Sequence, residues 1–275
     1  MTGEVRAVPV ERDLAYATHD GTELSLDIYR AAQPDATVVV YAHGGGWTRS
    51  DKRADGEGRL APLAAHGVTV VSVDYSLAPH AVFPQQLHEL KGAVRWLRAQ
   101  GPRLGLDTAR LGVWGASAGA YLGSLLALSE GDSALEGAVG GNLGRSSAVQ
   151  AAVHWFGQSD LAASAARTAI EAKLLPFLFE ADLLATDDPL ELTERARGFS
   201  LVSRASPQAP PFLIAHGDRD KIVSPSEGLA LHHALGRAGV RSHFELLSGA
   251  GHEDPAFNSP TMLATTAAWM RAVLG

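Results

Sequence analysis

The chain has 275 residues, 46% of them hydrophobic and 19% charged, which supplies a sizeable core and excludes a disordered chain. Its formal net charge of -7, with acids and bases interspersed and no basic stripe, excludes an electrostatic nucleic-acid binder. There are no cysteines, so disulfides, thiolate metal sites and a cysteine nucleophile are excluded together.

The opening MTGEVRAVPVERDL has charges and a proline where a signal peptide has its apolar core, and no run of 18 apolar residues occurs anywhere. A cytoplasmic protein with no membrane span is the expectation. Residues 8–18 and 23–30 carry strand-forming side chains, and the His19-Asp20-Gly21 between them predicts a hairpin. Residues 37–42 (TVVVYA) and 68–73 (VTVVSV) are continuous apolar runs rich in β-branched residues, as in strands covered on both faces. A glycine-rich turn and a helix-compatible segment, 56–66, lie between them. A helix is predicted to start near Phe83-Pro84, with Leu87, Leu90, Val94 and Leu97 on one face and Gly101-Pro102 ending it.

Residues 111–114 form a short apolar strand, followed by Gly115-Ala116-Ser117-Ala118-Gly119 and an apolar helix. The glycine- and serine-rich stretch 130–147 reads as a surface loop, and 151–156 (AAVHWF) as the next strand. Over 158–205 only helical and loop signals occur, including 174–184 (LLPFLFEADLL), which predicts a helical insertion over one end of the sheet. Strands resume at 211–216 and 242–247, and helices cover 225–237 and 260–274. Eight strands, two antiparallel and then repeated strand–helix units, predict a single α/β domain over 1–275 with a mostly parallel sheet flanked by helices.

Four loops follow predicted strands and should gather at the carboxyl ends of the sheet, where such folds build their sites. In His43-Gly44-Gly45-Gly46-Trp47 the glycines let the backbone approach a ligand and turn N–H groups toward developing negative charge, at about 3 Å. Trp47 is placed to line a pocket beside that loop. The G-x-S-x-G at 115–119 is the nucleophile-elbow pattern: a tight, strained turn that lifts Ser117 Oγ above the sheet edge, beside the unpaired amides of a helix's first turn. The loop 216–223 offers an acid, Asp218 or Asp220, and the glycine-rich loop 248–254 offers His252. Serine, acid, histidine is the chain order of triads of this elbow type. His43 and His216 read as hydrogen-bonding braces, His154 and His243 as packing or sheet-face residues. No H-E-x-x-H or similarly spaced ligand set occurs, so neither a metal nor another cofactor is expected.

Together these residues resemble the α/β-hydrolase superfamily, specifically the HGGG-type carboxylesterases of the hormone-sensitive-lipase-like and feruloyl-esterase-like (BD-FAE) groups. The resemblance runs from about Leu24 to the C-terminus. HGGGW at 43–47, VDYSLAP at 73–79, the R-x-G-x-W-G-x-S-A-G pattern at 110–119, the H-G-x-x-D-x-x-V pattern at 216–223 and Gly251-His252 carry it. It selects Asp220 over Asp218, and it implies that Gly45, Gly46 and Ala118 supply oxyanion amides. Asp188-Pro189-Leu190 lacks the Asp-Glu that follows in the lipase-like acid motif, which favours the feruloyl-esterase-like branch. Ser76, His80, Ala120-Tyr121, His154 and Gln158 depart from the usual residues and bear on substrate preference. The implied activity is that of a serine carboxylesterase acting on small esters through an acyl-enzyme, with a small-molecule ester as its partner and a homodimer allowed. An arylformamidase, a non-catalytic ligand receptor and a lipase are the alternatives.

Overall fold

The computed structural model describes residues 8–33, 35–165 and 179–275. Its strands are β1 (Val10–His19), β2 (Thr22–Tyr29), β3 (Thr37–Ala42), β4 (Val68–Val73), β5 (Leu111–Ala116), β6 (Ala151–Trp155), β7 (Phe212–Gly217) and β8 (Ser242–Leu247). They form one sheet in the order β1-β2-β4-β3-β5-β6-β7-β8. β1, β2 and β4 pair antiparallel, and every pairing from β4 to β8 is parallel. The first hairpin turns at Asp20 and Gly21, both with positive φ, which matches the twist of its strands.

The helices are α1 (Ala61–Ala65), α2 (Gln85–Gln100), α3 (Ala118–Ala127), α4 (Ser133–Glu136), α5 (Leu161–Ala165), α6 (Phe179–Leu184), α7 (Pro189–Arg197), α8 (Leu201–Arg204), α9 (Pro225–Arg237) and α10 (Pro260–Leu274). Alternation along the strands divides the apolar side chains between two layers. Val38, Val40, Val71, Val113 and Ile214 meet Leu87, Leu90, Val94 and Leu97 of α2, with Leu122 and Leu125 of α3 and Leu231 of α9. Val39, Tyr41, Val70, Trp114 and Leu213 meet Leu63 of α1 and Leu263, Ala267 and Met270 of α10. A strand with both faces covered must be apolar on both, which is why the central runs show no polar alternation. Each fully buried Val or Leu contributes about 1.5–3 kcal/mol, so this double core anchors the carboxyl edge firmly.

Three expectations are refined. α2 begins at Gln85, one residue past Pro84, with Gln86 Nε2 bonded back to the Ala81 carbonyl at the helix entry. Residues 130–147 are not all loop: Asp132 caps α4, Leu135 is buried, and Glu136 is the counter-ion of the buried Lys91 and Arg95. β5 runs two residues beyond the predicted 111–114 and ends directly against Ser117. Within 158–205 the described residues form α5 to α8; part of the predicted helical segment, with Phe177 and Leu178, lies outside the described residues. No helix among the described residues is long and apolar enough to cross a membrane.

Candidate active site

Ser117 stands between β5 and α3 with φ 53 and ψ -121, a conformation that costs a non-glycine residue about 1–3 kcal/mol. Two features hold it there. Its amide donates to the Trp155 carbonyl at the end of β6, 2.9 Å away. The strand and helix also close so tightly that a Cβ on Gly115 would lie 2.2 Å from the Gly119 carbonyl oxygen. The small flanking residues read from the motif are therefore required by contact.

The other site residues arrive from the ends of β7 and β8. Ser117 Oγ lies 2.9 Å from His252 Nε2, and His252 Nδ1 lies 2.7 Å from Asp220 Oδ2. The proton belongs on Nδ1, facing the carboxylate, which leaves Nε2 as the acceptor for the serine hydroxyl. The other carboxylate oxygen, Oδ1, accepts the amides of Ile222 and Val223 at 2.9 Å each. Burial alone would raise Asp220, but the His216 and His252 imidazoles beside it and the Val223 amide hold its carboxyl well below the usual carboxylate range. It stays ionised at neutral pH. Asp218, the competing acid, accepts from the Gly249 amide and stands apart from the histidine.

The glycine loop after β3 passes beside Ser117. A Cβ on Gly44 would lie 3.4 Å from Ser117 Cβ, and one on Gly45, where φ is 111, would collide with the Arg49 carbonyl at 2.2 Å. Gly46 and Trp47 follow with φ 61 each, so the chain curls around the serine and Ala118 begins α3. The loop is braced from below. Tyr75 donates its hydroxyl to the His43 carbonyl at 2.8 Å and stacks on the His43 ring, and the Ala78 amide donates to the Trp47 carbonyl at 2.8 Å. Burial lowers His43, whose Nδ1–H donates to the Gly44 carbonyl, so it is a neutral brace.

Trp47 is buried at 1% exposure; its indole N–H donates to the Ala118 carbonyl at 3.1 Å, and its ring meets Tyr121 edge-on. It thus joins the glycine loop to the first turn of α3 and contributes only the inner edge of the cavity above. That cavity measures about 680 Å³ and is bounded by Gly45, Gly46, Ser117, Ala118 and His252, with Ile222 and Val223 as apolar wall. Of its polar lining, Arg49, Ser50, Asp55 and Glu253 were not singled out from the sequence, whereas Gln158 was noted there as a departure from the usual residue.

Two further residues shape the site without a chemical signature. Phe156 packs edge-on against His252 at 5.0 Å and against Phe257, forming a floor for the imidazole. Asp74, in VDYSLAP, receives the Lys52 amide and ammonium at 2.8 and 2.5 Å and so anchors the segment that follows the glycine loop. The motif was visible; the roles of Asp74 and Tyr75 within it needed the third dimension. His154, as expected, packs within the sheet, between Ser124 Oγ and the Gly157 carbonyl. Asp188 caps α7 through the Leu190 and Glu191 amides.

The family model described as BD-FAE matches residues 26–235. Esterase LipC of Mycobacterium tuberculosis is 31% identical over 232 residues, which cover 82% of this chain and 56% of LipC. The chain spans about half the length of the first relatives it matches. Among solved structures, esterase LipW from Mycobacterium marinum superposes with a TM-score of 0.77 at 26% identity, covering 97% of this chain and 82% of that one. A truncated carbohydrate esterase from gut microbiota shares the fold, with a TM-score of 0.85, 23% identity and 98% of each chain covered.

Proposed function

The chain belongs to the BD-FAE family, and from that premise and the geometry of the site we propose that it is a serine carboxylesterase acting on small carboxylic esters. The observation that carries the reading is the unbroken line from Ser117 Oγ to His252 Nε2 and from His252 Nδ1 to Asp220 Oδ2, at 2.9 and 2.7 Å. A serine hydroxyl is a weak nucleophile unless a base takes its proton during attack, and this line supplies the base and its orienting acid.

In the reaction, Ser117 Oγ forms a bond to the ester carbonyl carbon as its proton passes to His252 Nε2. The carbonyl oxygen becomes an oxyanion facing the amides of Gly45, Gly46 and Ala118. Each such donor is worth about 3–4 kcal/mol in the transition state when it is fixed beforehand, which the braces on the glycine loop favour. Asp220 stabilises the imidazolium without taking the proton itself. Collapse of the intermediate breaks the bond to the alcohol oxygen, which leaves with the proton from His252 Nε2. Water then attacks the acyl-enzyme, giving its proton to His252, and the acid leaves as Ser117 recovers its hydroxyl.

The relatives' names favour ester over amide substrates: LipC and LipW are both called esterases. The cavity's mixed lining suits a small ester with both polar and apolar parts. The expected outcome is hydrolysis of p-nitrophenyl acetate or butyrate by the wild type. In Ser117→Ala kcat falls by about 10^3-fold or more while the fold is unchanged by circular dichroism. N-formylkynurenine serves as the amide control in the same assay. Equal turnover by wild type and Ser117→Ala would overturn the mechanism.

A further inference from the structure

The acid of the site touches a second imidazole. His216 of β7 is fully buried, and its Nε2 lies 3.0 Å from the Val223 carbonyl oxygen and 3.3 Å from Asp220 Oδ2. Both neighbours are acceptors, so a lone pair on Nε2 would face two oxygens and the proton must sit there. The other nitrogen, Nδ1, is buried without a hydrogen-bond partner among the described residues, and a Cβ added to Gly228 of α9 would come within 3.0 Å of it. One side of the ring is therefore packed with an unused acceptor, which an apolar side chain of similar size would avoid. What distinguishes histidine at this position is the Nε2–H.

That N–H ties the turn that carries the acid. Asp220 Oδ1 accepts from the Val223 amide, the Val223 carbonyl accepts from His216, and Asp220 Oδ2 stands 3.3 Å from the same Nε2, beside that bond and not in line with it. A carboxylate held only by Oδ1 keeps freedom to swing its second oxygen. With His216 on one side of Oδ2 and His252 on the other, that freedom is removed. We propose that His216 is a positioning residue for the site: its Nε2–H, donated to the Val223 carbonyl beside Asp220 Oδ2, holds the 220–223 turn so that Oδ2 faces His252 Nδ1, and so acts on catalysis through the acid. The inference rests on the reading of Ser117, His252 and Asp220 as a triad.

The test uses the full chain and p-nitrophenyl acetate. In His216→Phe, which keeps a ring and deletes the donor, kcat falls about tenfold or more with KM within about twofold, because orientation is lost and the substrate pocket is not. His216→Gln, whose amide N–H reaches toward the Nε2 position, recovers kcat to within about threefold of wild type. Should His216→Phe fail to fold, His216→Asn, whose shorter amide stops near the Nδ1 position, provides the donor-deleted comparison. Adding His216→Phe to Asp220→Asn costs no further activity, since a residue that acts through Asp220 has nothing left to position. Wild-type kcat in the donor-deleted variant, a Gln variant no better than it at equal melting temperature, or additive losses in the double variant would each overturn the proposal. Ser117→Ala, run alongside, separates the two failures. If it abolishes turnover while His216→Phe does not, only the inference about His216 falls; if it stays active, the triad reading falls and takes this inference with it.

Discussion

Asp220 shows how a single residue is made to do one thing. Its two oxygens have separate duties, with Oδ1 spent on the Ile222 and Val223 amides and Oδ2 on the imidazole side. In Asp220→Asn one oxygen becomes an NH2 group, and whichever way the amide turns, a donor faces either two backbone amides or the His252 Nδ1–H. The expected outcome is a folded protein with kcat lower by about 10^3–10^4-fold, read from steady-state kinetics beside a melting curve. Tyr75 makes the complementary case. Tyr75→Phe keeps the stack on His43 and loses only the bond to the His43 carbonyl, so urea unfolding is expected to show a loss of about 1 kcal/mol. Ser117 and His252 were legible as candidates from sequence because their side chains advertise chemistry and sit in glycine-flanked loops, whereas the residues alone left Asp218 and Asp220 open and the family resemblance chose between them. Tyr75, Phe156 and the inner duty of Trp47 were not, because an aromatic ring acquires a role only from the neighbours that folding brings to it.

At the scale of elements the site is the meeting of four strand ends, and its precision depends on how the intervening segments are tied. The glycine loop has no hydrophobic side chain of its own before Trp47, so that indole is its anchor, bonded to the first turn of α3. Trp47→Phe retains most of the packing and deletes the N–H; a stability loss of about 1 kcal/mol and a fall in kcat larger than any change in KM are expected, measured by unfolding and by kinetics. The next segment is tied by charge. Lys52 and Arg53 reach Asp74 and Asp27, carboxylates on or just beyond β4 and β2, and Lys52 is itself nearly buried. Strands and helices were readable from apolar periodicity, since burial on one or two faces writes itself into the residue pattern. α4 was not, because its stability comes from a cap at Asp132 and from ion pairs to α2, neither of which has a period.

For the whole molecule, the strand count, the antiparallel start and the parallel remainder follow from the composition of the runs and the lengths between them. The order across the sheet emerges only in the fold, since β4 inserts between β2 and β3 by a crossover that no local signal records. One buried group ties the global stability to pH. Burial pushes His154 down to about 4, against about 6.5 in an unfolded chain. Between those values the unfolded chain binds the proton and the native one does not, so stability is complete above about pH 6.5 and falls as pH drops toward 4, by about 3 kcal/mol in all. Urea unfolding at pH 7.5 and 4.5 should show a loss in wild type that exceeds the loss in His154→Gln by about 2–3 kcal/mol. Equal losses would show that His154 is not the proton acceptor. The distance along the chain between Ser117 and His252, 135 residues, has its own consequence for refolding. The turn at Ser117 can form from the contiguous β5, α3 and the neighbouring β6, but His252 arrives only when β8, at the far edge of the sheet, has been laid down. Long-range closure of that kind is late and slow. Recovery of turnover after dilution from urea should therefore trail the recovery of helical signal, which makes enzymatic rate a clock for the final step of assembly and not for its beginning.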